Sequence, residues 1–518
     1  AKRCQRLGRG FDSLHSLQII LMNETNNFQS SLNSAITEHR NKNFATAKTI
    51  YLKLIHNYPD SYLPQFLLGS LEIDVENYEV AIVNLNESLI LNSEYIDTYL
   101  NLGYCYSILN RHEEAIKIYK KAVNLNFFDI KKNEHYKVIS RLARIQVEAG
   151  EIQDGVNNYK TILKHYPNNL FIYYILYDLK EHILDKTLKN RIKKILKDKK
   201  INPVQEIYSN FLLSKFEREN KDFYLEFDYL KKAHEVIYSN NENNFYEKNS
   251  FFFNKLSNLR ECYDDKFNIE IREKERMSIK PIFIVGLPRS GSTLLEKIIL
   301  EGDRKLIGGE ETLIMHTLFN QIERDSNFKK NIESIVNSII VHYERRGLIN
   351  FNANLYFTDK SLDNFFCLGW IKKIFPNAKI INIKRDPMAN IVSVFRSNFF
   401  NSSWSHRIED ICNYFNTYYN LIDSWEKEYK VPIFHLVYEN LIENFNDETK
   451  KLFDYCDLNW SSEVKTFNKN KKVISKTQSM IQIRDPIYNK VGDEYKQLSK
   501  FFEKYLENYE WYQKSKLQ

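Results

Sequence analysis

Residues 286 to 293 crowd together the side chains best suited to holding an anion. Gly286 and Gly291 bracket Arg289 and Ser290, and Ser292 and Thr293 follow at once. The run Pro281-Ile282-Phe283-Ile284-Val285 ahead of them is apolar and largely β-branched, and Leu294, Leu295, Ile298 and Ile299 behind them keep helical spacing. This order predicts strand, tight loop, helix. In such a corner the loop N–H groups and those of the first helical turn converge, and hydrogen bonds and helix dipole together favour an anion at that point. The segment nearly spells the nucleoside-triphosphate signature G-x-x-x-x-G-K-[ST], but Ser292 occupies the lysine position and the cation is Arg289. With that lysine missing and no evident strand-end carboxylate for magnesium, ATP hydrolysis is disfavoured.

Pro288-Arg289-Ser290-Gly291-Ser292-Thr293 resembles the 5′-phosphosulfate loop of sulfotransferases that use 3′-phosphoadenosine 5′-phosphosulfate. Further segments carry the same resemblance. Gly308-Gly309-Glu310-Glu311-Thr312 reads as a turn presenting two carboxylates at a helix start, where the dipole favours acids even without chemistry. It is similar to the tyrosylprotein sulfotransferase segment whose first glutamate deprotonates the acceptor, which implies Glu310 as general base and Glu311 as the second choice. Lys360 closes the strand-like run from Leu355; the resemblance implies that it faces the transferring sulfuryl group and, with Arg289, Ser479 and the loop N–H groups, stabilises charge growing on the sulfuryl and bridging oxygens, the alternative for Lys360 being a surface lysine paired with Asp359. Ala378 to Arg385 reads as a strand, after which Asp386 suits a helix N-cap and Pro387 a first helical position. Arg385 and Ser393 match the family's 3′-phosphate site. After a strand expected over Val431 to Val437, Tyr438 is implied to border the nucleotide, a core tyrosine being the alternative. Near the C-terminus the resemblance makes Ser479 a ligand of the bridging or 5′ phosphate and Gln482 a lesser one, with Lys490 or Lys496 adding charge.

The elements that must position these residues form two kinds of architecture. At an offset of 34, small residues fall into register at Ala35, Gly69 and Gly103 and again at Ala47, Ala81 and Ala115, with a displaced fourth unit at Ala143 and Gly155. Tyr51, Leu85, Tyr119 and Tyr159 lie four residues beyond the second small position, and Pro59 and Pro167 mark unit ends. This resembles the tetratricopeptide repeat, a helix hairpin whose stacked copies usually bind a peptide or protein. The expected division is an unassigned segment 1–28, a repeat domain 29–245 that degenerates after 168, a helical linker 246–280 and a sulfotransferase domain 281–518. Within the degenerate part, 205–237 reads as a last hairpin and 239–244 as an Asn-rich loop. The fold class is thus an α-helical tetratricopeptide-repeat solenoid plus an α/β, P-loop-like sulfotransferase domain with a mostly parallel sheet and its ligand at the strands' C-terminal ends.

Composition sets outer bounds. At 518 residues more than one core is expected, and 14 glycines and 10 prolines leave room for much helix. A net charge of +7 suits an anionic ligand and is too mild to argue for nucleic acid. The six scattered cysteines have no metal-ligand spacing, so free thiols in a reducing, cytoplasmic compartment are expected, with no metal and no membrane span. The expected function is transfer of a sulfuryl group from 3′-phosphoadenosine 5′-phosphosulfate to an acceptor hydroxyl, which the resemblance suggests could be protein tyrosine. The alternatives are a P-loop kinase or NTPase, and a repeat-based binding scaffold whose sulfotransferase-like domain is inactive.

Overall fold

The computed structural model describes residues 26–125, 128–198, 200–256, 260, 263, 268–303, 305–319, 331–461, 464–465 and 495–516. The chain divides into two compact units, one of residues 1–168 with 345–347, the other of 169–344 with 348–518.

The first unit is a run of helix hairpins: α1 (Asn26–Arg40) with α2 (Phe44–Asn57), α3 (Tyr62–Asp74) with α4 (Tyr78–Leu91), α5 (Ile96–Ile108) with α6 (His112–Val123), and α7 (Asn133–Ala149) with α8 (Ile152–His165). The small positions are where the helices meet. A Cβ on Gly69 would stand 2.7 Å from Leu85 Cγ, and one on Gly103 would stand 2.4 Å from Tyr119 Cζ. In these two units the large residue therefore lies directly on the small residue of its partner helix, and Tyr51, Leu85, Tyr119 and Tyr159 are all buried. α2 and α8 stop just before Pro59 and Pro167, where the turn signals put their ends.

The second unit opens with more helices, α9 (Leu170–Asp178), α10 (Lys186–Ile195), α11 (Pro203–Glu219), α12 (Phe223–Ser239), α13 (Glu242–Ser250) and the short α14 (Glu273–Ser278). The expected hairpin over 205–237 is α11 with α12. The Asn-rich stretch is not a loop throughout: after Asn240 and Asn241 the chain is helical again as α13, because Glu242 in the first turn and Phe245 on the buried side are enough to restart it.

Among the described residues five strands make one parallel sheet: β1 (Lys280–Gly286), β2 (Ile307–Gly308), β3 (Tyr356–Asp359), β4 (Lys379–Lys384) and β5 (Phe434–Val437), in the order β2-β3-β1-β4-β5. The crossovers include α15 (Ser292–Gly302), α16 (Ile332–Arg345), α17 (Leu368–Ile374), α18 (Pro387–Phe395) and α19 (Ile408–Lys427), and after β5 follow α20 (Tyr438–Glu443) and α21 (Phe445–Tyr455). Both faces are covered, as a parallel sheet requires. Along β1 the side chains alternate: Ile282 and Ile284 join Leu295, Ile298 and Phe453 on one face, while Phe283 and Val285 join Phe357, Trp370 and Tyr343 on the other. Leu170, Phe211 and Leu230 belong to that second cluster, so the first helices of this unit share a core with the sheet.

The structure departs from two further expectations. The strand anticipated over Val431 to Val437 starts only at Phe434, since Pro432 has no N–H for the ladder. Glu310 and Glu311 do not begin a helix; they follow the two-residue edge strand β2, and Glu310 has φ 52°. Among the described residues no helix is long and apolar enough to cross a membrane.

Candidate functional site

Two strand-to-helix corners meet at the C-terminal edge of β1 and β4, which pair directly, Gly286 against Ile383. The first corner is made possible by glycine. Gly291 has φ +101°, and a Cβ there would fall 2.4 Å from Tyr438 Cδ2; one on Gly286 would fall 2.6 Å from the Ile383 carbonyl oxygen. The loop is thus pressed between β4 and Tyr438 as α15 begins at Ser292. Ser290, Ser292 and Thr293 are buried there, and Ser290 Oγ has no hydrogen-bond partner. A buried hydroxyl without a partner, at a helix N-terminus, is what an anion oxygen would satisfy.

In the second corner Asp386 Oδ1 accepts from Ala389 N at 2.6 Å and Pro387 opens α18, as N-cap and first position should. Asn390 Nδ2 donates to the Pro288 carbonyl at 2.5 Å, and Arg385 Nη1 donates to the Arg289 carbonyl at 2.8 Å, so the corners are tied to each other. The Arg385 guanidinium lies 5.1 Å from the Tyr438 ring centroid, and its buried Nε has no partner. Arg289 has a left-handed backbone, φ 70°, and its Nε donates to Ser393 Oγ at 3.2 Å. The cation of the first loop therefore faces the same place as Arg385 and Ser393. Burial, and then the Arg385 guanidinium, push the Arg289 pKa down. Two like charges held this close favour a multiply charged anion between them.

At the end of β3 a second cluster forms. Glu310 is buried, and its Oε1 is 3.3 Å from Lys297 Nζ on α15. Its backbone is held on both sides: its N–H donates to Glu296 Oε1 at 3.0 Å and its carbonyl accepts from Lys360 N at 2.7 Å. Thr358 Oγ1 donates to the same Glu296 oxygen at 2.7 Å. Lys360 is buried, 3.7 Å from Glu311 Oε1 and 4.0 Å from Glu296 Oε2. It is not a surface lysine on Asp359, whose carboxylate instead accepts from Thr312, from Tyr343 Oη at 2.6 Å and from the Ser361 N–H at 2.8 Å. Burial pulls the Lys360 pKa down, but the carboxylates of Glu311, Glu296, Glu310 and Asp359 outweigh it and the net shift is upward. The surrounding carboxylates thus favour its ammonium form.

Residues 281–462 match the sulfotransferase family, and residues 29–61 and 96–129 each match a tetratricopeptide repeat. The chain carries a sulfotransferase-family domain behind tetratricopeptide repeats. A protein of Aquifex aeolicus (strain VF5), described as uncharacterized, is 23% identical over 466 residues, which are 86% of this chain. The chain spans 58% of the length of that relative. Among solved structures it is similar to the sulfotransferase domain of the Synechococcus PCC 7002 olefin synthase, at 16% identity and TM-score 0.28 over 46% of this chain and 96% of that one. It is also similar to the sulfotransferase domain of the curacin biosynthetic pathway, at 17% identity and TM-score 0.26 over 43% and 98%, and to MamA, at 15% identity and TM-score 0.25 over 40% and 96%.

In this sulfotransferase-family domain the expected residues fall into the two clusters just described. Pro288 to Thr293, Arg385, Ser393 and Tyr438 lie at the paired corners; Glu310, Glu311 and Lys360 lie at the β3 end. Ser479, Gln482 and Lys490 lie outside the described residues. Lys496 is exposed at the start of a one-turn helix, Lys496–Ser499. Sequence reasoning missed Glu296 and Lys297, although two charges inside an otherwise apolar helical run are a readable signal of internal pairing. It also missed Lys215, Arg218 and Arg396, which with Arg289, Arg385 and Ser393 line a cavity of about 720 Å³. Nothing local marks α11 as part of a site.

Proposed function

We propose that the C-terminal domain moves a sulfuryl group from 3′-phosphoadenosine 5′-phosphosulfate to an acceptor hydroxyl, with Glu310 as general base. The observation that carries this reading is the junction of the two corners, Arg385 Nη1 on the Arg289 carbonyl at 2.8 Å, which sets two helix N-termini and two guanidiniums on neighbouring strands. A nucleotide with phosphates at both its 3′ and 5′ positions suits that arrangement. The unpartnered Ser290 Oγ and Arg385 Nε fit its oxygens. Arg385, Ser393 and Arg289 would hold the 3′-phosphate, and Ser290 to Thr293 with the N–H groups of α15 the 5′ side.

The nucleotide supplies the sulfuryl group and leaves as adenosine 3′,5′-bisphosphate. Glu310 takes the acceptor proton as the acceptor oxygen bonds to sulfur and the bond from sulfur to the bridging oxygen breaks. Lys360 neutralises charge growing on the sulfuryl and bridging oxygens. Lys297 holds the Glu310 carboxylate in place by its ion pair. Protein tyrosine is the acceptor class suggested by the Gly-Glu-Glu-Thr resemblance, and the repeats would bind a peptide or protein. The buried free thiols of Cys105, Cys367, Cys412 and Cys456 suit a reducing, cytoplasmic compartment.

Calorimetry with adenosine 3′,5′-bisphosphate, and turnover of radiolabelled phosphosulfate donor on tyrosine peptides and on carbohydrate hydroxyls, test the reading. Glu310→Gln should spare nucleotide binding and lower kcat by about 10² to 10⁴. Arg385→Ala should weaken binding of the bisphosphate. Equal loss of binding in both variants would refute this division of roles, and magnesium-dependent ATP hydrolysis at useful rates would favour a kinase or NTPase instead.

A further inference from the structure

The cavity beside Arg289 is the size of a small-molecule site, about 720 Å³, and all of its wall belongs to the second compact unit. Six cationic side chains, Lys180, Lys215, Arg218, Arg289, Arg385 and Arg396, line it against three carboxylates. Two of the six are committed elsewhere. Arg396 makes paired bonds of 2.7 and 2.9 Å to the buried Glu226, and Arg218 reaches the same carboxylate at 2.9 Å.

Lys215 is held differently. It is buried on α11, its ammonium lies 4.4 and 4.5 Å from the Tyr174 and Tyr177 ring centroids, and its ion-pair partner is Asp178 at 2.6 Å. The Asp178 side chain is 46% exposed, so solvent weakens its hold on a charge that is itself buried. Lys215 and Arg289 lie in each other's neighbourhood: the Arg289 charge acts on Lys215, and Asp178 and Tyr174 act on Arg289.

We infer that Lys215 completes the 3′-phosphate subsite, its ammonium passing from Asp178 to an oxygen of a phosphate lodged among Arg289, Arg385 and Ser393, and so setting the preference for 3′-phosphorylated over 3′-hydroxyl nucleotides. A compact charge on a flexible four-carbon stem with three donors can change partners in this way, as a planar guanidinium fixed on Glu226 cannot. A phosphate dianion answers several converging cations at once, which a hydroxyl does not. The inference rests on the proposed nucleotide reading and adds to it a specificity residue from the helices that precede the sheet.

Calorimetry on the full chain with adenosine 3′,5′-bisphosphate and with adenosine 5′-monophosphate tests it. Lys215→Met keeps the stem and removes the charge; it should reduce the ratio of the two affinities about tenfold, acting on the bisphosphate alone. Asp178→Asn removes the competing carboxylate and should raise that ratio, and it serves equally if the methionine variant fails to fold. An unchanged ratio in either folded variant, with the wild type preferring the bisphosphate, overturns this inference and leaves the nucleotide reading standing. A wild type that binds neither nucleotide overturns both.

Discussion

Glu310 and Lys297 show how much depends on single side chains. A buried carboxylate at 3.3 Å from a buried ammonium is held by geometry as well as charge, and removing the cation takes away a close charge that fixes the acid. Lys297→Met should lower kcat by an order of magnitude or more while leaving the calorimetric affinity for adenosine 3′,5′-bisphosphate within about twofold, and Lys297→Arg should recover part of the rate. A loss of nucleotide binding equal to the loss of rate would show that the pair merely supports the fold. Glu310 stood out in the sequence as a candidate because a Gly-Gly turn before two acids resembles a known segment. Its partner did not, because Lys297 lies in a helix whose apolar neighbours say core, and only the return of the chain through β2 brings Glu310 over it. Lys215 was invisible for a related reason: a lysine on a helix reads as solvated until the opposite wall of its cavity is known.

The corners themselves were read almost completely from local chemistry. Glycine at a left-handed position, aspartate as N-cap and proline as first helical residue act over a few residues, so their signals survive without tertiary context. Gly291→Ala tests the tighter corner: the new Cβ would sit 2.4 Å from Tyr438 Cδ2 at φ +101°. It should cost about 1 to 3 kcal/mol of stability in urea melts and weaken nucleotide binding more than tenfold, because the loop can relieve the clash only by leaving Tyr438. Asp386→Ala should cost about 1 kcal/mol through loss of its bond to the Ala389 N–H. The edges of the sheet were not legible. β2 is a strand only because it pairs with β3, with the Gly309 N–H on the Thr358 carbonyl at 3.0 Å, and two residues carry no period of their own.

Across the second unit a buried histidine pair joins α12 to the end of α18. His234 Nε2 donates to the Phe395 carbonyl at 2.7 Å, leaving its Nδ1 to accept from His406 Nδ1 at 3.0 Å. Burial lowers the His234 pKa to about 4 and, with His234 itself, depresses that of His406 well below the usual value. Each ring takes up a proton more readily in the unfolded chain than in the folded one, so stability rises with pH across the interval between the folded and unfolded values. The His234 contribution should be complete above about pH 6.5 and should fall away by about 3 kcal/mol as the pH drops to about 4. Urea melts between pH 4 and 7.5 would show this, and His234→Gln should flatten the slope; a wild-type slope that persists in the variant would assign it to other groups. At this scale the two architectures were legible through a 34-residue register and a strand-helix alternation, both of which repeat often enough to stand above noise. It did not reveal that the helices from Leu170 onward share a core with the sheet, since one hairpin's apolar face looks the same whatever covers it.

The central strand has a consequence for the order in which this chain assembles. β1 pairs on both sides with strands that lie about 75 to 100 residues further along, Lys280 with Tyr356 and Ile282 with Lys379. During synthesis the helical hairpins can close as they emerge, each on its neighbour, while β1 and its glycine loop wait for partners that have yet to be made. A nascent chain stopped before Lys379 should therefore show protected helices and an unguarded, protease-sensitive loop, and acquisition of nucleotide affinity should mark the moment the late strands dock.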